Sequence, residues 1–383
     1  MDFAYPPEAE ALRAELRAWL DANLEPRFRG IGSAIAASPE GLETLREWNQ
    51  RLADAGWVAI AWPREHGGRD AGVIEQVVWA EEMDRAQAPT LLNPIGLSNI
   101  APSIMQYGTT AQKDRFLGRM RRGDDIWCQG FSEPDAGSDL ASLRATAVRD
   151  GDFFVVNGQK VWNTLGSVAD WCELLVRTDP EAPRHRGISC LLVDMKLAGI
   201  EVRPIVTITG EAEFAELFFT DVRVPAEALL GPLHQGWSVA MTTLNNERGG
   251  VAALHLQVRR KIRQLIEDTR RAAHAAAADD PGHRRELARL YVEGEMLKLL
   301  SDRALSGMLH GRAGPEGALT KLVWSQTEQQ LGEVAARVLG PDALGGPWGR
   351  LRLHSRSYTI AGGTTQVNKN IVAQRVLGLP RSY

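Results

Sequence analysis

The stretch Trp127-Cys128-Gln129-Gly130-Phe131-Ser132-Glu133-Pro134-Asp135-Ala136-Gly137-Ser138-Asp139 concentrates the residues best suited to handling a ligand. Gly137 and its small neighbours let a backbone approach a bound group closely, and Ser132 and Ser138 supply hydroxyls. Exposed N–H groups there could face an anionic or heteroaromatic ligand. The same residues read equally as a turn at a domain boundary, with Asp139 capping a short helix. Other familiar chemistries are missing from the sequence. No GxGxxG follows a strand, and there is no P-loop lysine. Gly187-Ile188-Ser189 and Gly236-Trp237-Ser238 begin like a nucleophile elbow but lack its second glycine. The eight histidines include no HExxH or other close ligand pair, so no metal site is expected. Any redox cofactor must therefore be held by something other than a Rossmann turn.

The elements that position this stretch follow from periodicity. Residues 8–24, 40–55, 73–88 and 97–122 carry apolar residues at helical spacing, as in Leu12, Leu16, Trp19 and Leu20. From 127 to 232 the segments shorten and turn β-rich. Asp150-Gly151 and Asn157-Gly158 flank Phe153 to Val156, a hairpin signal, and further strands are expected at 172–177, 188–193, 200–206 and 214–224. After Gly231-Pro232, long helices are expected at 237–275, 283–311 and 316–339. A loop from Gly340 to Pro347 and a last helix over 365–377 follow. Three long helices with short connections suggest a bundle.

Composition bounds the function. The chain has 383 residues, 44% hydrophobic and 24% charged, which is ordinary for a globular protein of two or three domains. A net charge of -4 with interspersed signs gives no nucleic-acid footprint. No apolar run approaches the ~18 residues of a membrane span, and the N-terminus does not read as a signal peptide. Three cysteines without metal-site spacing fit a reduced, cytoplasmic chain.

The segment Ser132-Glu133-Pro134-x-Ala136-Gly137-Ser138-Asp139 resembles the signature of the acyl-CoA dehydrogenase family, whose core is T/S-E-P-x-A-G-S-D. Further family landmarks occur in order along almost the whole chain. Trp62 to Gly68 resembles the P-x-E-x-G-G loop, and Asn157 to Thr164 resembles the N-G-x-K-x-W-I-T strand. Asp221-Val222-Arg223-Val224-Pro225 matches the D-V-x-V-P end of the β domain. Gly363 to Val367 with Arg375 to Pro380 is similar to the family's C-terminus. The resemblance implies an α+β fold. Its parts would be an N-terminal helical domain (1–125), a middle β-barrel-like domain (126–232) and a C-terminal four-helix bundle (233–383).

The resemblance also implies FAD between the β domain and the bundle, since no amino-acid side chain accepts a hydride. Carried over by position, Gln129, Phe131 and Ser132 would line the isoalloxazine ring. Trp162 would pack near it, and the Thr164 hydroxyl would bond flavin N5. Asn163 is counted with this cofactor set, and Thr364 and Gln366 match positions at the pyrophosphate and ribityl region. Alone, Trp162 would read as β-domain core.

Many family members carry the catalytic carboxylate in Y-E-G-T before the last helix. Here that stretch is Ile360-Ala361-Gly362-Gly363-Thr364, with Gly362 at the glutamate position. A second family geometry places the base on a bundle helix, and Glu247 falls on that position. By itself Glu247 would read as a helix-surface glutamate paired with a nearby arginine; the resemblance makes it the base, with its pKa raised by burial. The backbone N–H of Gly362 would hydrogen-bond the thioester oxygen. Ser138, Asn245 and Arg248 match positions near CoA and the acyl chain. Gly249-Gly250 is unusual for a helix interior, at ~1 kcal/mol each relative to alanine, and fits clearance for a bulky acyl group or close helix packing.

The family's R-x-x-F-G segment is absent near Arg270-Arg271, and its Q-x-x-G-G-x-G motif is reduced to Arg337-Val338-Leu339-Gly340. With Gly362, these features resemble a bacterial subgroup acting on branched, aromatic or steroid-side-chain CoA thioesters. Some of its members are α2β2 assemblies. The activity implied is α,β-dehydrogenation of an acyl-CoA to a trans-2-enoyl-CoA, with electrons passing to an electron-transfer flavoprotein, by a homotetramer or an α2β2 heterotetramer. Alternatives are a flavin monooxygenase or oxidase on the same fold, and a flavin-poor structural partner subunit.

Overall fold

The computed structural model describes residues 5–32, 38–247, 253–271, 275–310, 314 and 316–380. The chain divides into two compact units: Glu15–Gly72 with Ala86–Glu247, and Met1–Ala14 with Val73–Arg85 and Arg248–Tyr383.

The first unit begins with most of α1 (Pro7–Asn23) and α2 (Pro39–Asp54). Ser38 starts α2 by accepting from the Gly41 N–H at 3.1 Å. The apolar face of α2 buries Leu45, Trp48 and Leu52. α3 (Val73–Ala86) follows in sequence. The helical pattern over 97–122, which the sequence breaks at Gly108, is three pieces. A π-helical turn (Gly96–Ile100) runs into α4 (Ala101–Tyr107), and α5 (Thr110–Arg122) restarts after Gly108. The break is encoded locally: Thr109 and Gln112 form a reciprocal capping box that begins a new helix.

An eight-stranded sheet fills the rest of this unit. Its strands are β1 (Trp127–Gly130), β2 (Thr146–Asp150), β3 (Phe153–Thr164), β4 (Trp171–Arg177), β5 (Ile188–Asp194), β6 (Ile200–Ile205), β7 (Phe214–Pro225) and β8 (Leu229–Leu230). The order is β6-β7-β3-β2-β4-β5-β8, with β1 added in parallel beside β4. Alternating residues of β2, β3 and β7 meet β4 and β5 in one core, including Phe154, Val156, Leu174, Val176, Leu191, Leu217 and Val222. β5 is buried along nearly its whole length because α6 (Gly236–Glu247) covers it.

The hairpin expected around Phe153 is half right. The turn between β2 and β3 is Gly151-Asp152, directly after Asp150, but Asn157-Gly158 is not a turn. β3 continues through it to Thr164, with an irregular register against β7 between Val156 and Gly158. Gly158 is needed there for clearance: its φ is +146°, and a Cβ would lie 2.6 Å from the Ala145 Cβ.

The second unit is helical. Its main elements are α7 (Leu254–Thr269), α8 (Ala275–Asp279), α9 (Pro281–Leu309), α10 (Glu316–Leu339), α11 (Gly346–Tyr358) and α12 (Thr365–Ile371). The core joins Val258, Ile262, Leu265, Leu287, Leu290, Leu297, Leu331, Val334, Val338 and Leu351. α7 and α9 approach closely at Gly294, where a Cβ would sit 2.9 Å from Ile262 Cδ1. Asp280 caps α9 by accepting from the His283 N–H at 2.8 Å. In the same unit Arg13 reaches Glu81 and Glu82 of α3 at 2.7 and 3.1 Å.

The helix α11 was not expected. Gly345-Gly346-Pro347 reads as loop, yet Pro347 lies in the first turn, where its missing N–H costs nothing. The last helix is also shorter: it ends at Ile371 and passes into a π-helical turn (Val372–Val376). The helix expected over 237–275 comprises α6 and α7, and Gly249-Gly250 between them lies outside the described residues. Among the described residues, no helix is long and apolar enough to cross a membrane.

Candidate functional site

The signature segment lies along β3, and three bonds fix it there. The Asn163 amide donates to the Gln129 carbonyl at 2.5 Å, the Lys160 ammonium to the Phe131 carbonyl at 3.0 Å, and the Val161 N–H to the Ser132 carbonyl at 2.9 Å. Two motifs thirty residues apart in the chain, roughly, thus form one surface. Gln129, Phe131 and Ser132 are thereby set beside the 160–163 stretch of β3 that carries Trp162 and Asn163, with Thr164 next along the strand.

The loop after Ser132 is held by a buried ion pair. Lys160 Nζ lies 2.9 Å from Glu133 Oε1, with Lys160 fully buried. The Glu133 carboxylate also accepts from the Arg144 and Ala145 N–H groups at 2.6 and 2.8 Å. Burial pushes the Lys160 ammonium below its ordinary value, and Glu133 pulls it back up. Glu133 to Ala136 closes as a tight turn with reciprocal backbone bonds of 3.0 and 3.1 Å around Pro134. Glu133 in the signature and Lys160 in the strand motif are therefore structural partners. The sequence signal was a lone lysine in an otherwise strand-like run, with the signature's first acid as its partner.

Trp162 is the exception in this strand. Its φ is +63°, rare for an aromatic residue, and it is 59% exposed. The cause is a β-bulge. Lys160 pairs with Leu217 and Asn163 with Ala215, so Val161 and Trp162 face a single residue of β7. The bulge turns the indole outward, with its ring edge-to-face against Phe214 at 6.0 Å between ring centres. Trp162 is not β-domain core.

Beside it, two buried polar atoms have no protein partner: Gln129 Nε2, a donor, and Asn163 Oδ1, an acceptor. Orphans of this kind are costly unless a ligand or water completes them. An exposed aromatic face next to an unmet donor and an unmet acceptor suits a flat heteroaromatic ring with a polar edge, which is what a flavin presents. Thr164 is half-buried at the end of β3. Ser138 is exposed on the loop.

Beside β1, on β4, lies Glu173, which sequence reasoning missed. It is a fully buried carboxyl within Trp-Cys-Glu-Leu-Leu-Val of β4, and the one charged residue of that run was the available signal. It accepts from the Thr243 hydroxyl at 2.8 Å, and its second oxygen has no partner. Burial pushes its pKa up to about 8, and the Thr243 bond opposes the shift. Glu247 is the last residue of α6, one turn beyond Thr243; its side chain lies outside the described residues, as does all of Arg248. Asn245 is exposed on α6.

In the helical unit, Gly362 and Gly363 have φ of +63° and +87°. Glycine enters this left-handed region without the steric penalty a side chain would meet. The Gly363 carbonyl accepts from Asn368 at 2.7 Å and from the Lys321 ammonium. Thr364 caps α12 by accepting from the Val367 N–H at 3.1 Å, and Gln366 is exposed.

Comparison with known proteins covers this whole architecture. Residues 6–124 match the Acyl-CoA dehydrogenase, N-terminal domain; residues 128–222 match its middle domain; residues 234–377 match its C-terminal domain. "Acyl-CoA dehydrogenase IpdE1" of Mycobacterium tuberculosis is 42% identical over 385 residues, spanning 98% of both chains. Among solved structures, the "Tcur3481-Tcur3483 steroid ACAD" superposes with TM-score 0.88 at 32% identity, covering 100% of both chains. A chain of the ChsE4-ChsE5 complex from Mycobacterium tuberculosis does so with TM-score 0.83 at 33% identity, also covering 100% of both. With three consecutive domain matches and end-to-end relatives above 30% identity, this chain belongs to the acyl-CoA dehydrogenase family of oxidoreductases.

Proposed function

We propose that the chain removes two hydrogens from the α and β carbons of an acyl-CoA thioester, giving the trans-2-enoyl-CoA, with FAD as cofactor. The observation that carries the cofactor reading is the bulged β3, which exposes Trp162 beside the unpartnered Gln129 Nε2 and Asn163 Oδ1. FAD, when bound, supplies the two-electron acceptor that takes the β-hydride. Gln129, Phe131, Ser132, Trp162, Asn163 and Thr164 would hold its ring, and Thr364 and Gln366 its ribityl and phosphate region.

Glu247 takes the α-proton as the base. The Gly362 N–H donates to the thioester oxygen and stabilises the charge that grows there as the proton leaves. Ser138, Asn245 and Arg248 bind the CoA and acyl portions. The substrate class is a bulky CoA thioester, and the likeness to the Tcur3481-Tcur3483 steroid ACAD favours a steroid-derived acyl group. Electrons leave to an electron-transfer flavoprotein.

Anaerobic bleaching of bound flavin by CoA thioesters, from short straight chains to steroid side chains, tests the activity. Glu247→Gln should keep its FAD and lose ~10²–10⁴-fold in bleaching rate, the usual value of a positioned base. Near-normal bleaching in that variant removes Glu247 from the role. A second reading is that this chain is one half of a two-chain enzyme, favoured by the paired names of two solved relatives.

A further inference from the structure

The Glu173 carboxyl joins three elements of one unit. On β4 it is the register partner of Gln129 in β1. Its Oε1 accepts from Thr243 of α6 at 2.8 Å. Thr243 Oγ1 in turn lies 2.7 Å from Ser103 Oγ of α4, and all three side chains are fully buried. Thr243 precedes Glu247 by one helical turn, so this chain of bonds ends beside the residue read as the base. Nothing in the reaction as described uses Glu173.

We infer that Glu173 is a positioning residue for Glu247, fixing the last turn of α6 against the strand pair that carries Gln129. The inference rests on the reading of Glu247 as the base.

Glu173 does this as the neutral acid. The titratable and polar groups around it are Cys172 on its own strand, Gln129 and Cys128 on β1, Cys190 on β5, Thr243 on α6 and Ser103 on α4. Among the described residues none of these is a cation; the Lys160 charge is felt at Cys172. Cys190 Sγ lies 4.0 Å from Glu173 Oε1, and its thiol is pushed up by burial and then by Glu173. Burial places the Glu173 transition at about 8. Ionisation would leave a charge on Oε2, which has no partner, and a buried unpaired carboxylate is costly enough to shift its surroundings or admit water. Either response loosens the Thr243 end of α6.

The test is the rate of anaerobic flavin reduction between about pH 6 and about pH 10, across the ionisation range of Glu173. The probe is the CoA thioester that bleaches the wild-type holoprotein fastest in the panel above. The wild type should lose about tenfold in rate per pH unit beyond the transition. Glu173→Gln, which cannot ionise, should keep its rate there. Thr243→Val should slow reduction about tenfold or more at every pH, the lower end for loss of positioning, and Thr243→Ser should restore it. A wild-type alkaline decline retained in Glu173→Gln, or a normal rate in Thr243→Val, overturns the inference.

If Glu173→Gln does not hold FAD, the Thr243 pair and an infrared difference spectrum of the wild type decide. A carboxylic-acid C=O band lost between about pH 6 and about pH 10 is expected; its absence overturns the neutral-acid assignment. Glu247→Gln separates the two readings. If it bleaches normally, the base assignment has failed; if it is dead while the Thr243 variants are normal, only the positioning inference has failed.

Discussion

Glu173 and Trp162 both occupy positions that a sequence optimised only for stability would fill differently. Trp162 holds a left-handed backbone at a cost of ~1–3 kcal/mol, and such strain persists where surrounding structure enforces it for function. Glu173 destabilises the fold at neutral pH relative to acid pH. Its folded pKa is raised to about 8 from an ordinary 4.5. The native state then holds a proton that the unfolded chain releases. Its contribution to stability is therefore whole below about pH 4.5 and is lost progressively as pH rises through about 8. Glu173→Gln removes that dependence. Its melting temperature relative to wild type should climb from about pH 4.5 to about pH 8 and level off above. A difference that stays flat in calorimetry across that window would mean Glu173 is ionised in the native state.

At the scale of elements, β3 carries the most functional content, and it does so by being irregular. Its two departures from regular pairing with β7 fall between Val156 and Gly158 and between Lys160 and Asn163. The first lets the strand pass Ala145, and the second turns Trp162 outward. Gly158→Ala places a methyl 2.6 Å from the Ala145 Cβ at a φ of +146°. Overpacking and backbone strain together should cost ~2–4 kcal/mol in denaturant unfolding. FAD retention should fall too, because the shift propagates along β3 to Trp162. A loss under about 0.5 kcal/mol, the range of an indifferent surface substitution, would show that the strand can slide. Asn157-Gly158 reads as a turn in the sequence because the dipeptide reports only a local backbone preference. The long β7 partner that keeps β3 extended lies sixty residues away, roughly, and such tertiary pairing overrides it.

For the whole molecule, each of the two units has its own apolar core, but the helical unit leaves a second apolar stripe outside. Val292, Met296 and Leu299 of α9 are between 52% and 58% exposed, opposite a face already packed in the core. Apolar residues exposed together on one helix face suit contact with another chain. The chain purified alone should therefore scatter light as an oligomer, and Val292→Glu with Met296→Glu should shift it toward the monomer. A monomer that assembles only when a second chain is co-expressed would select the two-chain reading instead. The sequence by itself determined the succession of helical, β and helical parts and the family. These depend on local periodicity and on motifs whose residues are adjacent in the chain. Only the tertiary structure decided that Glu133 and Lys160 are one buried pair, that a bulge exposes Trp162, and that Glu173 reaches the helix ending at Glu247. Each of these depends on which distant residue fills the space opposite, and burial turns that neighbour into charge state, strain or position.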